Sequence, residues 1–569
     1  MPMIRTITIG LLLLGLVACG GFGGSDDSVR PSVLVLSPAQ GSASAVVTTN
    51  VSATFDRAMN ASTIDSVSFV VTGPSGDLTG TVSYDSETST AIFDPASELA
   101  LDETYTASLA RTIRDSSGRT LGEAVIWSFR TAGRIVRVSV RADGSEADGC
   151  SFDASLSENG GVVAFESLAS NLVDGDAAGL PDVMRKDTQS GAVTLVSSDD
   201  NGAAANTPAP SAPPCSPVTL ATPFPIQFKA EISRDGRYVA FQSSDVDLIT
   251  GGGNGFTQIF VKDTQTGVLT LISADARGVP GNGHSDNPAI SGDGRFVAFD
   301  SAATNLLGTG TGADTNGVRD VFLKARETGA IVSASLADNN VTQGNGDSTN
   351  PDISGDGSVV VFESLATNLL GVGGDTNLQR DIYRRNVVVG TTLLVSVAAD
   401  GRQANEASFA PSLADDGRRV AFHSRATTLI AAPILGGTSQ VFLKDMAPAF
   451  LTVTLVSVGE DGLTQGNGDS ARASISGDGR FVAFDSAASN LIPEDTAGAT
   501  DIFVKAIASA AIIRVSVAED GLTEGDASSF NATISADGRY VALESDAGNL
   551  VLDDFNGLRD VFRAVNRLF

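Results

Sequence analysis

Histidine, cysteine and tryptophan are nearly missing from this chain: two, three and one in 569 residues. A serine or cysteine hydrolase needs a base beside its nucleophile and a group that orients the base. Here only His284, in a glycine-rich loop, and His423 could serve. Neither a Gly-x-Ser-x-Gly elbow nor a His-Glu-x-x-His zinc motif occurs, so the usual hydrolase marks are absent. Aromatic residues make up 6% of the chain, too few for a cleft of many rings that stacks sugars. Basic residues are also scarce, 37 against 67 acidic, for a formal charge of −30. With no cluster of Lys and Arg to displace counter-ions from phosphates, nucleic-acid binding is excluded, and direct docking on an anionic membrane face is disfavoured. The acidity favours solubility at high local density.

What the chain has is repetition. Asp-Gly turns recur at Asp235-Gly236, Asp293-Gly294, Asp356-Gly357, Asp416-Gly417, Asp478-Gly479 and Asp537-Gly538, with Asn159-Gly160 as a degenerate first copy. Gly160 and Gly538 are 378 residues apart over six intervals, or 63 per unit, which suits four short strands better than two helices. The first interval is 76 residues, and its excess falls at 203–225, a loop insertion rich in Ala, Thr, Ser and Pro. Within a unit, apolar residues alternate and β-branched and aromatic residues dominate, which predicts strands A (ending at Ile290-Ser291), B (295–301), C (320–324) and D (near 332–336) in the third unit. The segment Ile135-Val136-Arg137-Val138-Ser139-Val140 returns as Ile512-Ile513-Arg514-Val515-Ser516-Val517, and the chain stops at Phe569 before a last copy. A spare D strand ahead of the first unit, with one lacking after the last, predicts a ring whose ends share a sheet.

The repeat Ser476-Gly477-Asp478-Gly479-Arg480-Phe481-Val482-Ala483-Phe484 resembles that of the periplasmic TolB-like propeller family, and 535–543 and 233–241 are similar to it. The resemblance covers about 135–569 and implies an all-β fold with a seven-bladed β-propeller over 133–569; it says little of activity. Ahead of it, 31–132 alternates strands and turn clusters. Ala53-Thr54-Phe55-Asp56-Arg57-Ala58-Met59-Asn60, Ala91-Ile92-Phe93-Asp94-Pro95 and Trp127-Ser128-Phe129 resemble the bacterial Ig-like domain of S-layer-type proteins. That implies a β-sandwich used as a spacer or adhesion module, with Trp127 in its core.

Residues 1–18 carry Arg5, an apolar run from Ile7 to Val17, and then Leu16-Val17-Ala18-Cys19. This resembles a lipoprotein signal, with Cys19 as the lipidated residue and 19–30 as a flexible tether. Gly20 after it, where the resemblance implies that Asp would retain the protein at the inner membrane, points to the outer membrane. A lipidated Cys19 leaves Cys150 and Cys215, two thiols outside the cytoplasm, which are expected to form a disulfide that pins the 203–225 loop.

Two sets of acids are candidates for chemistry. Glu166, Asp300, Glu363, Asp485 and Glu544 occupy one repeated position on strand B, with Gln242 and His423 as exceptions. Two carboxylates suffice for glycoside hydrolysis, but a column set by repetition is more simply structural, pairing with the basic residue after Asp-Gly such as Arg295 or Arg480. The loops into strand C carry Asp314, Asn316 and Asp320; Asp375, Asn377 and Asp381; and Asp554, Asn556 and Asp560. Their oxygen donors resemble part of a calcium loop, although such turns also form without an ion. Asp176 with Asp182 and Asp495 with Asp501 keep only the outer acids.

These features predict a lipid-anchored envelope protein whose propeller is a non-catalytic platform for a protein or ligand. The loops at 344–347 and 466–469 are expected to contribute to its mouth, with calcium as the only candidate cofactor. The rivals are an envelope polysaccharide hydrolase or lyase using paired acids, and a structural surface-layer component.

Overall fold

The computed structural model describes residues 30–569 apart from 42–44, 46–49, 75, 101–102, 132–133, 175, 177–180, 201, 203–228, 250–253, 309–312, 372–373, 433, 435, 448–451, 494 and 496–497. The described residues are all-β, with one 3-10 turn at Ala61–Thr63 and no α-helix. None of their helices is long and apolar enough to cross a membrane.

The N-terminal part folds as two four-stranded sheets. One orders Val33–Ser37, Val51–Phe55, Thr90–Pro95 and Gly80–Asp85; the other orders Gly76–Asp77, Phe69–Gly73, Thr104–Leu109 and Val125–Arg130. Strand alternation decides which side chains meet. Val51, Ala53 and Phe55 point inward while Ser52 and Thr54 do not, and the inward rows join Phe69, Phe93, Tyr105 and Phe129 in one core. Trp127 is 1% exposed in that core, its ring 6.0 Å from that of Phe69, as expected of a packing residue.

Seven four-stranded antiparallel sheets follow. In the third unit the strands are Ser285–Ile290, Phe296–Ser301, Asp320–Ala325 and Ile331–Ser333, so strand D is shorter and earlier than the sequence pattern suggests. Strand B is buried on both faces in every unit because each sheet packs against a neighbour on either side, which is why it reads as a nearly unbroken apolar run. Across strands B and C the rings stack in pairs, Phe241 on Phe260, Phe299 on Phe322, Phe362 on Tyr383, Phe422 on Phe442 and Phe484 on Phe503, at 5.8–6.0 Å.

The last sheet contains Ser529–Ile534, Tyr540–Ser545 and Asp560–Val565, and its fourth strand is Ile135–Arg137 from before the first unit. Phe562 faces Arg137 and Ala564 faces Ile135, the register in which Phe503 faces Arg514 and Lys505 faces Ile512 one unit earlier. Strand A of unit 1 in turn contacts strands A and B of unit 7.

The repeated Ser-x-Asp-Gly-basic motif is a self-contained turn. Ser291 Oγ donates to Asp293 Oδ1 at 2.8 Å, Asp293 accepts Arg295 N at 3.0 Å, and Phe296 N donates to Ser291 Oγ at 3.0 Å. Gly294 sits at φ +69°, and a Cβ there would run into the Tyr238 ring of the preceding unit. Gly294→Ala should therefore cost about 2 kcal/mol, from left-handed strain plus displacement of that ring, read as a fall in the urea midpoint at unchanged slope.

The turns are also stitched to one another. Glu158 N donates to Arg234 O (2.9 Å), Arg234 N to Gly292 O (3.1 Å), Gly292 N to Gly355 O (3.0 Å) and Gly355 N to Asp415 O (3.1 Å). Asp415 N donates to Gly477 O (2.9 Å), Gly477 N to Ala536 O (2.9 Å), and Asp537 N returns to Glu158 O (3.0 Å).

Candidate axial site

The A strands of all seven units border a cavity of 280 Å³. At the turn end, Arg234 of unit 2 reaches past Gly292 and Gly355 to pair with Asp415 of unit 5. A Cβ at Gly292 or Gly355 would lie 2.7 Å from the Arg234 side chain, and one at Gly477 would run into the Asp415 carboxylate. Three glycines of these turns thus make room for the Arg234–Asp415 ion pair. The walls carry charges of both signs, among them Asp153, Lys229, Glu231, Asp352 and Arg472, and amides from Asn287, Asn350 and Asn531; among the described residues no aromatic side chain lines the cavity. Lys229 Nζ is 2.9 Å from Glu231 Oε1, and Asp352 Oδ2 accepts Leu413 N at 2.7 Å.

A β-bulge shapes these walls. In six units the A–B register slips by a residue near the start of strand A, and Asp153, Asn287, Asn350, Ala410, Arg472 and Asn531 there take φ between 45° and 56°. The N–H that this turns out of the sheet finds its acceptor on strand B of the preceding unit. Asp153 N donates to Glu544 (2.8 Å), Asn287 N to Gln242 (2.9 Å), Asn350 N to Asp300 (3.0 Å), Ala410 N to Glu363 (3.0 Å) and Asn531 N to Asp485 (3.1 Å).

That explains the acidic column and corrects its expected partners. Arg295 and Arg480 pair with Asp293 and Asp478 of their own turns. The column acids are instead met by Arg319 at Asp300, Arg380 at Glu363 (2.9 Å) and Arg472 at Asp485 (3.2 Å), with Arg559 3.6 Å from Glu544. All five, Glu166 included, are at most 6% exposed and lie behind the cavity wall rather than on it. Burial, reinforced by Asp153 and Glu544, holds the Glu166 carboxyl well above the usual range. Burial raises Asp485 to about 6 against the pull of Arg472, and lowers His423, in the same column, to about 3, so its imidazole is neutral. His284 Nδ1 accepts Thr257 N at 3.1 Å.

The other sequence candidates are scattered. The loops at 344–347 and 466–469 do not line the cavity; Asn345 and Asn467 bond to Thr367 (2.9 Å) and Ser489 (3.0 Å) of their own units. Asp554 and Asp560 do not await a metal, because Arg137 Nη1 lies 3.1 and 3.5 Å from them; that calcium candidate is withdrawn. Asn556 Nδ2 donates to Asp560 (3.1 Å), as Asn316 does to Asp320 (2.7 Å) and Asn377 to Ala404 O (2.8 Å). Cys150 is disulfide-bonded and 2% exposed. Cys215 and Cys19 lie outside the described residues, as do 1–29 with the signal and tether.

The bulge residues went unread in the sequence, although Asn287, Asn350 and Asn531 recur three residues before the last Ile of strand A, and Asn tolerates the left-handed conformation that a bulge requires.

Residues 27–131 match the bacterial Ig-like domain family. No curated protein matches the chain. Among solved structures it is similar to an oligogalacturonate lyase in complex with manganese, at 12% identity over 76% of this chain and 93% of that one with a TM-score of 0.44. It is also similar to TolB from Acinetobacter baumannii (14%, 79% and 79%, 0.34) and to an acylaminoacyl peptidase of Pyrococcus horikoshii (10%, 70% and 49%, 0.39). The N-terminal part is thus Ig-like, and the neighbours among solved structures are propeller-like proteins, enzymes and TolB alike.

Proposed function

We propose that this is a lipid-anchored cell-envelope protein in which the Ig-like part spaces a closed, seven-bladed propeller from the outer membrane, and that the propeller is a non-catalytic binding platform. The observation that carries the reading is the axial cavity: a cup crossed at its turn end by Arg234 and Asp415, with walls of mixed charge and amide groups. Such walls suit an extended polar segment of a partner protein, whose backbone and charges they can match. They do not suit stacked sugar rings, and the column acids that a polysaccharide hydrolase or lyase would use are sealed behind them.

The test is recovery of a partner from detergent-solubilised envelope by the full-length protein. A stoichiometric partner retained by the wild type and lost from Lys229→Ala and Glu231→Ala, whose pair is partly exposed on the wall, at unchanged unfolding midpoints, is the expected result. Recovery indifferent to these changes overturns the cup as the site. Polysaccharide turnover abolished by Glu166→Gln and Glu363→Gln would favour the enzyme instead.

A further inference from the structure

Each unit seals the first side chain of strand C under its neighbours, and in all seven a serine that follows strand D donates to it, Ser197 to Asp182 in the first. Ser335 donates to Asp320, Ser396 to Asp381, Ser516 to Asp501 and Ser139 to Asp560, while Ser273 and Ser457 donate to Gln258 and Gln440. In five units this residue and the one six before it are both aspartate. Two buried carboxylates side by side need a cation or a proton between them.

The chain meets that need in several ways. In units 6 and 7 an arginine on strand D enters the pair. Arg514 Nη1 is 3.7 and 3.5 Å from Asp495 and Asp501, and Arg137 Nη1 is 3.1 and 3.5 Å from Asp554 and Asp560. A third carboxylate comes with each guanidinium, Glu524 at 3.1 Å and Glu146 at 2.8 Å. Asp495, Asp501 and Glu524, with oxygens within 4.8 Å of one another, have the spacing of a metal site, but the arginine fills it. Units 2 and 5 drop both acids together, for Gly252 with Gln258 and Ile434 with Gln440. In unit 1, burial and then the neighbouring Asp176 raise the Asp182 carboxyl to about 8, so a proton stands in for the cation near neutral pH.

Units 3 and 4 keep both acids and have none of these answers. The residue in register with Arg137 and Arg514 is Ser333, facing Phe322, and Leu394, facing Tyr383. Asp375 is 7% exposed and Asp381 fully buried, and the Oδ2 atom of each has no hydrogen-bond partner; neither carboxylate oxygen of Asp314, also 7% exposed, has one. Where the arginine units carry the third acid, these carry Gln343 and Gln403, whose amides clamp the loop instead. Gln403 Nε2 donates to Gly374 O at 2.5 Å and its Oε1 accepts Thr376 N at 2.8 Å. Gln343 does the same with Ala313 O and Thr315 N, at 2.8 and 3.0 Å. The loops are braced with two carboxylates turned inward.

We infer that Asp314 with Asp320, and Asp375 with Asp381, each bind a hard divalent cation where the last two units place a guanidinium. Carboxylate oxygens select calcium or magnesium over softer ions, and with only two acids per site, water and backbone carbonyls complete the shell. The affinity should be modest, about 10⁻⁴ to 10⁻³ M.

Calorimetric titration of the chelator-stripped full chain near neutral pH, with calcium chloride and separately with magnesium chloride, tests this. Two sites are expected. Asp320→Asn should remove one and Asp381→Asn the other. Leu394→Arg, which copies the arrangement of units 6 and 7, should remove the unit 4 site while keeping the fold without any ion. The wild-type melting midpoint should rise about 1–2 °C per site at tenfold excess over Kd and fall back with chelator. Binding of magnesium but not calcium supports the same sites with the smaller ion. No heat from either ion up to about 10 mM, ten times the weakest expected Kd, overturns the inference, as does an isotherm unchanged in the Asp320→Asn, Asp381→Asn double variant.

Discussion

Removing residues 134–140 should unfold the seven-sheet part at ordinary growth temperatures, although the segment is one short strand and its flank. Three losses add together. Ile135 leaves the core between the sixth and last units and Val138 that between the last and first, each 1% exposed, at about 1.5–3 kcal/mol apiece. Arg137 goes too, stranding Asp554, Asp560 and Glu146 without their cation, a break that costs about 3–5 kcal/mol. Asp560–Val565 becomes an open strand edge in place of a paired one. The total of about 6–11 kcal/mol is comparable to the whole stability of an ordinary domain. Urea unfolding followed by circular dichroism is the measurement, and Arg137→Leu should reproduce about half of the loss. A truncated protein that unfolds at the wild-type midpoint would show that Ile135–Arg137 is dispensable, and closure through the last sheet would then fall.

That strand was legible because its partner copy was. Ile512-Ile513-Arg514-Val515-Ser516-Val517 spells the same six-residue pattern, so the sheet position and even the register of Ile135–Arg137 could be inferred from repetition. The arginine inside both copies, absent at Leu195, Ser333 and Leu394, was the overlooked mark of where Asp554 and Asp560 find their charge. Turns were legible for a different reason, since the Ser291 and Asp293 side chains satisfy backbone groups within five residues. Contacts between units were not. Asp485 and Asn531 are 46 residues apart and meet only because two sheets pack face to face at a bulge. An alternating pattern fixes which face a side chain leaves from, but not which neighbour it reaches. The partners proposed from proximity along the chain, Arg295 and Arg480, were wrong on that account.

Asp485→Ala should cost about 3–5 kcal/mol, while Asp485→Asn should cost about 1 kcal/mol and flatten the pH dependence of stability. Asp485 is 3% exposed and takes three donors: Asn531 N at 3.1 Å and Ala532 N at 3.3 Å from the next unit, and Arg472 Nη1 at 3.2 Å from its own. Alanine leaves two buried N–H groups and a guanidinium with no acceptor, whereas asparagine keeps an oxygen in place. Gln242 shows that an amide suffices, accepting Asn287 N at 2.9 Å in the same position. The pH effect runs opposite to common acid denaturation. Burial raises Asp485 from 3.8 to about 6, so the folded chain holds this proton more tightly than the unfolded chain does. Its contribution is therefore complete below about 4 and is lost as pH rises from 4 to 6. Melting midpoints of the wild type and of Asp485→Asn, taken at half-unit steps from pH 4 to 7, should differ in slope across that window and run parallel above it. Parallel curves throughout would mean that Arg472 holds the carboxylate ionised at every pH, and the column would then be a row of ion pairs rather than of shared protons.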